Sequence, residues 1–274
     1  MGSDIRDDWV ELDGLRFHYR DWGDASAPPL ILLHGFTGHA RSWDSFAAAM
    51  SPRYRVLALD QRGHGESAWT DDYSTEAMVR DLAGFVAALG LSSYDLLGLS
   101  MGGRNAIHFA GGRPDGLGKL VIVDIGPETA AVGTQRIQDS LRAKDEFASP
   151  EDAIAQARAG NSRADAAELA HRVRNNLMRT ASGTWTFRYD RALRDPARLR
   201  PRPTPVEGWR LWSNIAAPTL LIRGELSDIL PSEVAARMVR EHPDCRLVEV
   251  AGSGHSIPLD APRGFLAAAR TFLG

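Results

Sequence analysis

Ser100, His255 and Asp228 are the side chains of this 274-residue chain whose types and settings fit nucleophilic catalysis. Ser100 stands in Gly98-Leu99-Ser100-Met101-Gly102, the small-x-Ser-x-small pattern of a tight strand-to-helix turn. Such a turn pushes the serine toward a disfavoured φ/ψ region, so its neighbours in space must lack bulk. It also holds the hydroxyl clear of the backbone at a helix N-terminus, where amide groups favour developing negative charge. A hydroxyl is a weak nucleophile at neutral pH. It needs a base within hydrogen-bond reach, and that base needs a carboxylate to orient it. Ala251-Gly252-Ser253-Gly254-His255 puts a histidine on a glycine-rich loop after the last expected strand. Arg223-Gly224-Glu225-Leu226-Ser227-Asp228 puts a carboxylate after the strand before it. Asp124 also ends a strand and is the rival acid, though it reads more naturally as fixing the start of the segment that follows. Glu225 comes too soon after its strand to reach His255.

The elements that must position these groups can be read from apolar periodicity. Trp9–Tyr19 alternates around Asp13-Gly14, a two-residue turn signal, and predicts a β-hairpin. Continuous apolar strands are expected at Pro29–Leu33, Arg55–Leu59, Leu96–Leu97, Lys119–Val123, Thr219–Ile222 and Arg246–Val250. Helical periods separate them, over Thr75–Leu89, around Ala106–Ala110, over Ser232–Arg240 and over Ala261–Leu273. Strands apolar on both faces that alternate with amphipathic helices predict an α/β fold with a mainly parallel sheet, helices covering both faces. The loops at the carboxyl ends of such strands build the site, and each of the chemical motifs follows a strand. Between 128 and 213 the strand signal lapses and arginine- and alanine-rich helical stretches take over, with a proline-rich connector at Asp195–Pro205. The expected organisation is a core of residues 1–127 and 214–274 with a helical cap inserted at 128–213.

Taken together, His34-Gly35, Asp60-Gln61-Arg62-Gly63-His64-Gly65-Glu66-Ser67, Gly98-Leu99-Ser100-Met101-Gly102-Gly103, Gly224…Asp228 and Gly254-His255 resemble the α/β-hydrolase fold superfamily with a cap. The order Ser100, Asp228, His255 is the one that fold uses. The resemblance covers about 10–125 and 214–274 and implies an eight-stranded-type sheet. It implies Ser100 as nucleophile, His255 as general base and then acid, and Asp228 as the orienting acid. The oxyanion hole would be the backbone N–H groups of Phe36 and Met101. His34 would pin the oxyanion loop, and Asp60 and His64 would be structural.

Composition narrows the rest. With 43% hydrophobic and 24% charged residues the chain is an ordinary globular protein, and a net charge of −3 leaves no basic footprint for nucleic acid. The one cysteine, Cys245, precludes an internal disulfide and reads as a buried small hydrophobe. No apolar run is long enough to span a bilayer and Met1–Trp9 has no apolar core, so the expected location is cytoplasmic. Gly63-His64-Gly65-Glu66-Ser67-Ala68 matches a dinucleotide fingerprint formally, but no helix opens there. No metal-ligand spacing occurs, so neither metal nor organic cofactor is expected. Arg158, Arg163, Arg172, Arg174 and Arg179 read as the solvated faces of helices, and Trp185, Ile229 and Ile257 as substrate contacts. The predicted activity is hydrolysis of a small, largely apolar carboxylic ester or lactone through an acyl-enzyme, by a monomer or homodimer. Carbon–carbon bond hydrolysis of a ring-fission dienoate, cofactor-free perhydrolysis and a slow small-molecule receptor keep the same residues.

Overall fold

Continuously apolar strands need cover on both faces, and the central strands of this protein receive it. The computed structural model describes residues 5–199 and 203–274. It opens on a hairpin of β1 (Ile5–Leu12) and β2 (Leu15–Trp22), turned by Asp13 and Gly14 at φ 48° and 75°. Positive φ at both residues is what a two-residue turn matched to strand twist requires. Next come β3 (Pro29–Leu33), α1 (Asp44–Met50), β4 (Arg55–Leu59) and α2 (Thr75–Ala88). Then follow β5 (Tyr94–Leu99), α3 (Met101–Gly111) and β6 (Leu117–Val123). The chain then leaves the sheet.

The excursion holds α4 (Ala131–Leu141), β7 (Glu146–Phe147), α5 (Pro150–Gly160), α6 (Ala166–Asn175), β8 (Leu177–Arg179), β9 (Trp185–Phe187) and α7 (Pro205–Ser213). It ends where β10 (Thr219–Gly224) rejoins the sheet, followed by α8 (Ser232–Glu241), β11 (Cys245–Val250), α9 (Ile257–Asp260) and α10 (Pro262–Leu273). The sheet runs β1-β2-β4-β3-β5-β6-β10-β11, antiparallel at β1/β2 and β2/β4 and parallel from β4 onward.

Within the apolar runs a period of two is at work. Ile31 and Leu33 of β3, with Leu120 and Ile122 of β6, enter one layer, closed by Leu82, Phe85 and Met238 of the helices on that side. Leu30, Leu32, Val121 and Val123 enter the other, closed by Phe46, Met50, Phe265 and Ala269. No described helix is long and apolar enough to cross a membrane.

The excursion is less purely helical than its sequence suggests. β7, β9 and β8 form a small antiparallel sheet, and Trp185–Phe187 is its central strand. Helix starts are locally encoded: Ser149 and Asp152 make a reciprocal capping box at α5, as do Thr204 and Glu207 at α7, each followed by proline. Phe147, Leu169, Val173 and Leu177 form a separate apolar cluster that closes on Leu259 of α9. Although α7 falls inside 128–213, it packs on α3 and carries Trp209 and Trp212 into the main core. Within the proline-rich connector, Pro196–Leu199 forms a 3-10 turn, while Arg200–Arg202 lies outside the described residues, as does Met1–Asp4.

Candidate active site

The turn between β5 and α3 is a single residue, Ser100, at φ 54° and ψ −112°. Such a conformation costs a non-glycine residue about 1–3 kcal/mol, and the glycines around it show what holds it there. A Cβ on Gly98 would meet the carbonyl oxygen of Gly102 at 2.4 Å, and one on Gly102 would meet that of Leu33 at 2.4 Å. One on Gly35 would lie 3.4 Å from the Ser100 Cβ. The elbow can therefore close up and press against β3 only because Gly98 and Gly102 lack side chains, whereas a Cβ on Gly35 would make an ordinary contact. Gly102→Ala should destabilise the fold by about 2–3 kcal/mol, because the obstacle is backbone and cannot rotate away. Urea unfolding would measure it, and a loss below 0.5 kcal/mol would show that the elbow is looser than this.

His255 follows β11 on the loop Ala251–Ser256 and reaches both neighbours. Its Nε2 lies 2.9 Å from Ser100 Oγ and its Nδ1 lies 2.8 Å from Asp124 Oδ2. Asp124 is fully buried, just beyond β6, at φ 51°. The backbone N–H of Gly224 donates to its Oδ1 at 2.9 Å, and the Ser227 hydroxyl donates to Oδ2. Two donors besides the imidazole thus fix the carboxylate's orientation.

Asp228, expected to orient His255, does not do so. Its carboxylate is gripped by both arms of Arg136 on α4, at 2.6 and 2.9 Å, and that bond, more than any other influence, holds its pKa below the usual value. The loop after β10 contributes to the His255 site through Ser227 instead. Glu225 turns away, accepting the N–H of Gly252.

Phe36, in the turn after β3, and Met101, the first residue of α3, line the same cavity as Ser100. Among the described residues neither backbone N–H has an acceptor. His34 holds that turn: its Nδ1 donates to Gly35 O at 2.9 Å, and the Gln61 N–H donates to its Nε2 at 3.0 Å. Asp60 accepts from His18, from the Ala40 N–H and from the Glu66 N–H, so both residues brace the loops.

Two chambers meet over Ser100, with Phe36, Ile137 and Leu141 on both walls. The first is mainly apolar, with Met78, Met101, Ile125, Leu193 and Ile229, and has Arg104, Asn105 and Gln138 on its wall as well. The second is polar, with Ser42, Arg136, Arg172, His255 and Ser256. Of the three residues expected to touch substrate, Ile229 alone lines a chamber. Trp185 packs against the Phe147–Val173 cluster under the Arg179 guanidinium, 4.8 Å from its ring. Ile257 is wholly buried in the sheet's second apolar layer, next to His255 in sequence but facing away from the cavity. Arg158, Arg163, Arg174 and Arg179 are exposed as expected, whereas Arg172 turns inward, which helical spacing alone had not distinguished. Among the described residues no group of three His, Cys, Asp or Glu could hold a metal ion.

The α/β hydrolase fold family matches this chain over residues 28–262, and the chain belongs to that family. It is 30% identical over 273 residues to a 3-hydroxybutyrate-oligomer hydrolase of Cupriavidus necator, covering 94% of this chain and 93% of that one. It is likewise 30% identical over 263 residues to esterase Rv0045c of Mycobacterium tuberculosis, covering 92% and 84%. The crystal structure of an E-2-(acetamidomethylene)succinate hydrolase superposes with a TM-score of 0.90 at 23% identity, over 98% and 99% of the two chains. That likeness concerns the fold.

Proposed function

We propose that this protein is a serine hydrolase that opens a small carboxylic ester or lactone through an acyl-enzyme on Ser100. The observation that carries this reading is the unbroken line Ser100–His255–Asp124 at hydrogen-bond distances beside two acceptorless backbone N–H groups. The Ser100 hydroxyl attacks the carbonyl carbon while His255 Nε2 takes its proton, and Asp124 stabilises the resulting imidazolium. The N–H groups of Phe36 and Met101 receive the oxyanion, each such donor being worth about 3 kcal/mol in barrier height. Collapse of the intermediate breaks the ester bond as His255 protonates the departing alkoxide. Water, deprotonated by the same nitrogen, then releases the acid and restores Ser100. The relatives named as an oligomer hydrolase and an esterase support the same reading. The apolar chamber suits one apolar arm of the substrate.

The test is covalent. Diethyl p-nitrophenyl phosphate should add one diethylphosphoryl group to the peptide that contains Ser100, and p-nitrophenyl butyrate hydrolysis should stop in proportion to the label. Full turnover after complete labelling, or label on a different residue, would refute the assignment.

A further inference from the structure

The polar chamber over Ser100 carries a cation that no side chain in reach neutralises. Arg172 lines it from α6, and among the described residues its guanidinium has no ion-pair or hydrogen-bond partner. None of the chamber's lining residues is an aspartate or glutamate. Arg136, the other guanidinium present, is already held by Asp228. Arg172 is half-buried by accessible surface, because it fronts the cavity, yet protein surrounds it closely enough that desolvation lowers its pKa; Glu168 and Asp260 oppose this only through space.

The backbone that bears Arg172 is seated firmly. Its own carbonyl lies 3.0 Å from His39 Nε2, His171 pairs with Asp44, and Asn176 Nδ2 donates to Thr37 O at 2.9 Å. The bonds to His39 and Thr37 tie the end of α6 to the loop after β3, the same loop that presents the Phe36 N–H, and the bond to Asp44 ties it to the start of α1. The side chain is thus anchored beside the site rather than at the end of a free helix. Burying an unpaired cation is costly, and here it is placed within one cavity's width of the nucleophile. A guanidinium fork matches the two oxygens of a carboxylate, and a site positioned in advance spares the ordering cost of binding.

We propose that this chamber binds a carboxylate carried by the substrate, so that the preferred substrate is an ester with one apolar and one anionic arm, divided at Ser100. The inference rests on the reading of Ser100 as nucleophile and extends it to substrate class. It is tested by three esters: p-nitrophenyl butyrate, p-nitrophenyl hydrogen glutarate with the anion on the acyl side, and p-butyryloxybenzoate with the anion on the leaving group. One of the two anionic esters should exceed the neutral one in kcat/KM, and which one it is tells which arm the chamber takes. In Arg172→Gln the anionic-to-neutral ratio should fall by about 10- to 100-fold, the range of a charge-assisted hydrogen bond, mostly through KM. Arg172→Lys, which keeps the charge without the fork, should retain part of the preference.

A second measurement does not need turnover. In the Ser100→Ala protein, glutarate titrated by calorimetry should bind at least about tenfold more weakly when Arg172 is also glutamine. If neutral esters are hydrolysed with no preference for either anionic ester and glutarate binding ignores Arg172, the carboxylate site is wrong and the hydrolase reading stands. If glutarate binding depends on Arg172 but no ester acylates Ser100, the site stands and the reaction assigned to it falls.

Discussion

Asp124→Asn is expected to lower kcat on p-nitrophenyl butyrate by about 10⁴-fold, and Asp228→Asn by no more than about tenfold. The reason lies in the donors around Asp124. An asparagine there has one oxygen and one NH₂ group to place among the Gly224 N–H, the Ser227 hydroxyl and His255 Nδ1. The Gly224 amide can only donate, so the oxygen must face it. The Ser227 hydroxyl oxygen already accepts the N–H groups of Ile229 and Leu230 and is poorly placed to accept a third, and the other NH₂ hydrogen points at His255 Nδ1. His255 can answer only by moving its proton to Nε2, which then donates to Ser100 and can no longer act as its base. Asp228→Asn leaves that geometry intact and weakens only the grip of Arg136 on the loop. Steady-state kinetics of the two variants decide the matter, and a larger loss in the Asp228 variant would return the role of orienting acid to Asp228.

The misplaced acid marks where the one-dimensional signal ends. Apolar runs and their spacing carried the sheet, the hairpin at Asp13-Gly14, the elbow at Ser100 and the loop of His255, because each rests on local rules of period, turn chemistry and strand-end position. The choice between Asp124 and Asp228 rests on which loop passes behind the imidazole. That depends on β6 lying beside β10, with Leu120 opposite Thr219, ninety-odd residues apart in sequence. Ser227, three residues past Gly224, donates to Asp124 but also accepts the N–H groups of Ile229 and Leu230, and in the sequence that local turn role hides the other. Nothing local announces that Arg136 would claim Asp228. Ile257 and Trp185 fail for a related reason: nearness in sequence to a catalytic residue, or to an aromatic cluster, does not say which way a side chain faces. Ile257 follows His255 by two residues and still enters the core. Arg172 shows the converse, one inward position on a helix whose neighbours Arg174 and His171 face solvent.

The fold should lose on the order of 4–6 kcal/mol of stability between pH 7.5 and pH 5, chiefly through the three histidines packed at the loop after β3, with the lowered pKa values of His108 and His242 acting in the same direction. Burial is the main cause that lowers His34 and His39 to about 4 and His64 to about 3, against 6.5 in the unfolded chain. Hydrogen bonding gives a second reason. Protonated His34 would direct a second N–H at the Gln61 N–H that now donates to it, and His64 Nε2 has no acceptor among the described residues. Because the folded state refuses protons that the unfolded state accepts, stability is fully present above about 6.5 and is lost as pH falls toward the folded values. At pH 5 each imidazole accounts for about 2 kcal/mol. His18 works the other way: burial disfavours its charge, but Asp60 and Asp7 outweigh that and raise its pKa, so its contribution is present below 6.5 and lost as pH rises. Asp60, lowered to about 2 despite burial by its bond to His18, titrates below this window. One opposing residue does not cancel three, and the loss is comparable to the whole stability of many domains. Urea midpoints at pH 7.5 and 5.0 would measure it, with His39→Gln expected to remove about one proton from the slope. A midpoint unchanged over that range would mean that these imidazoles take up protons without disturbing the fold. If the loss is as large as expected, hydrolysis at pH 5 should disappear together with the near-ultraviolet circular dichroism, because the loop that presents the Phe36 N–H is anchored on the same His34 and His39.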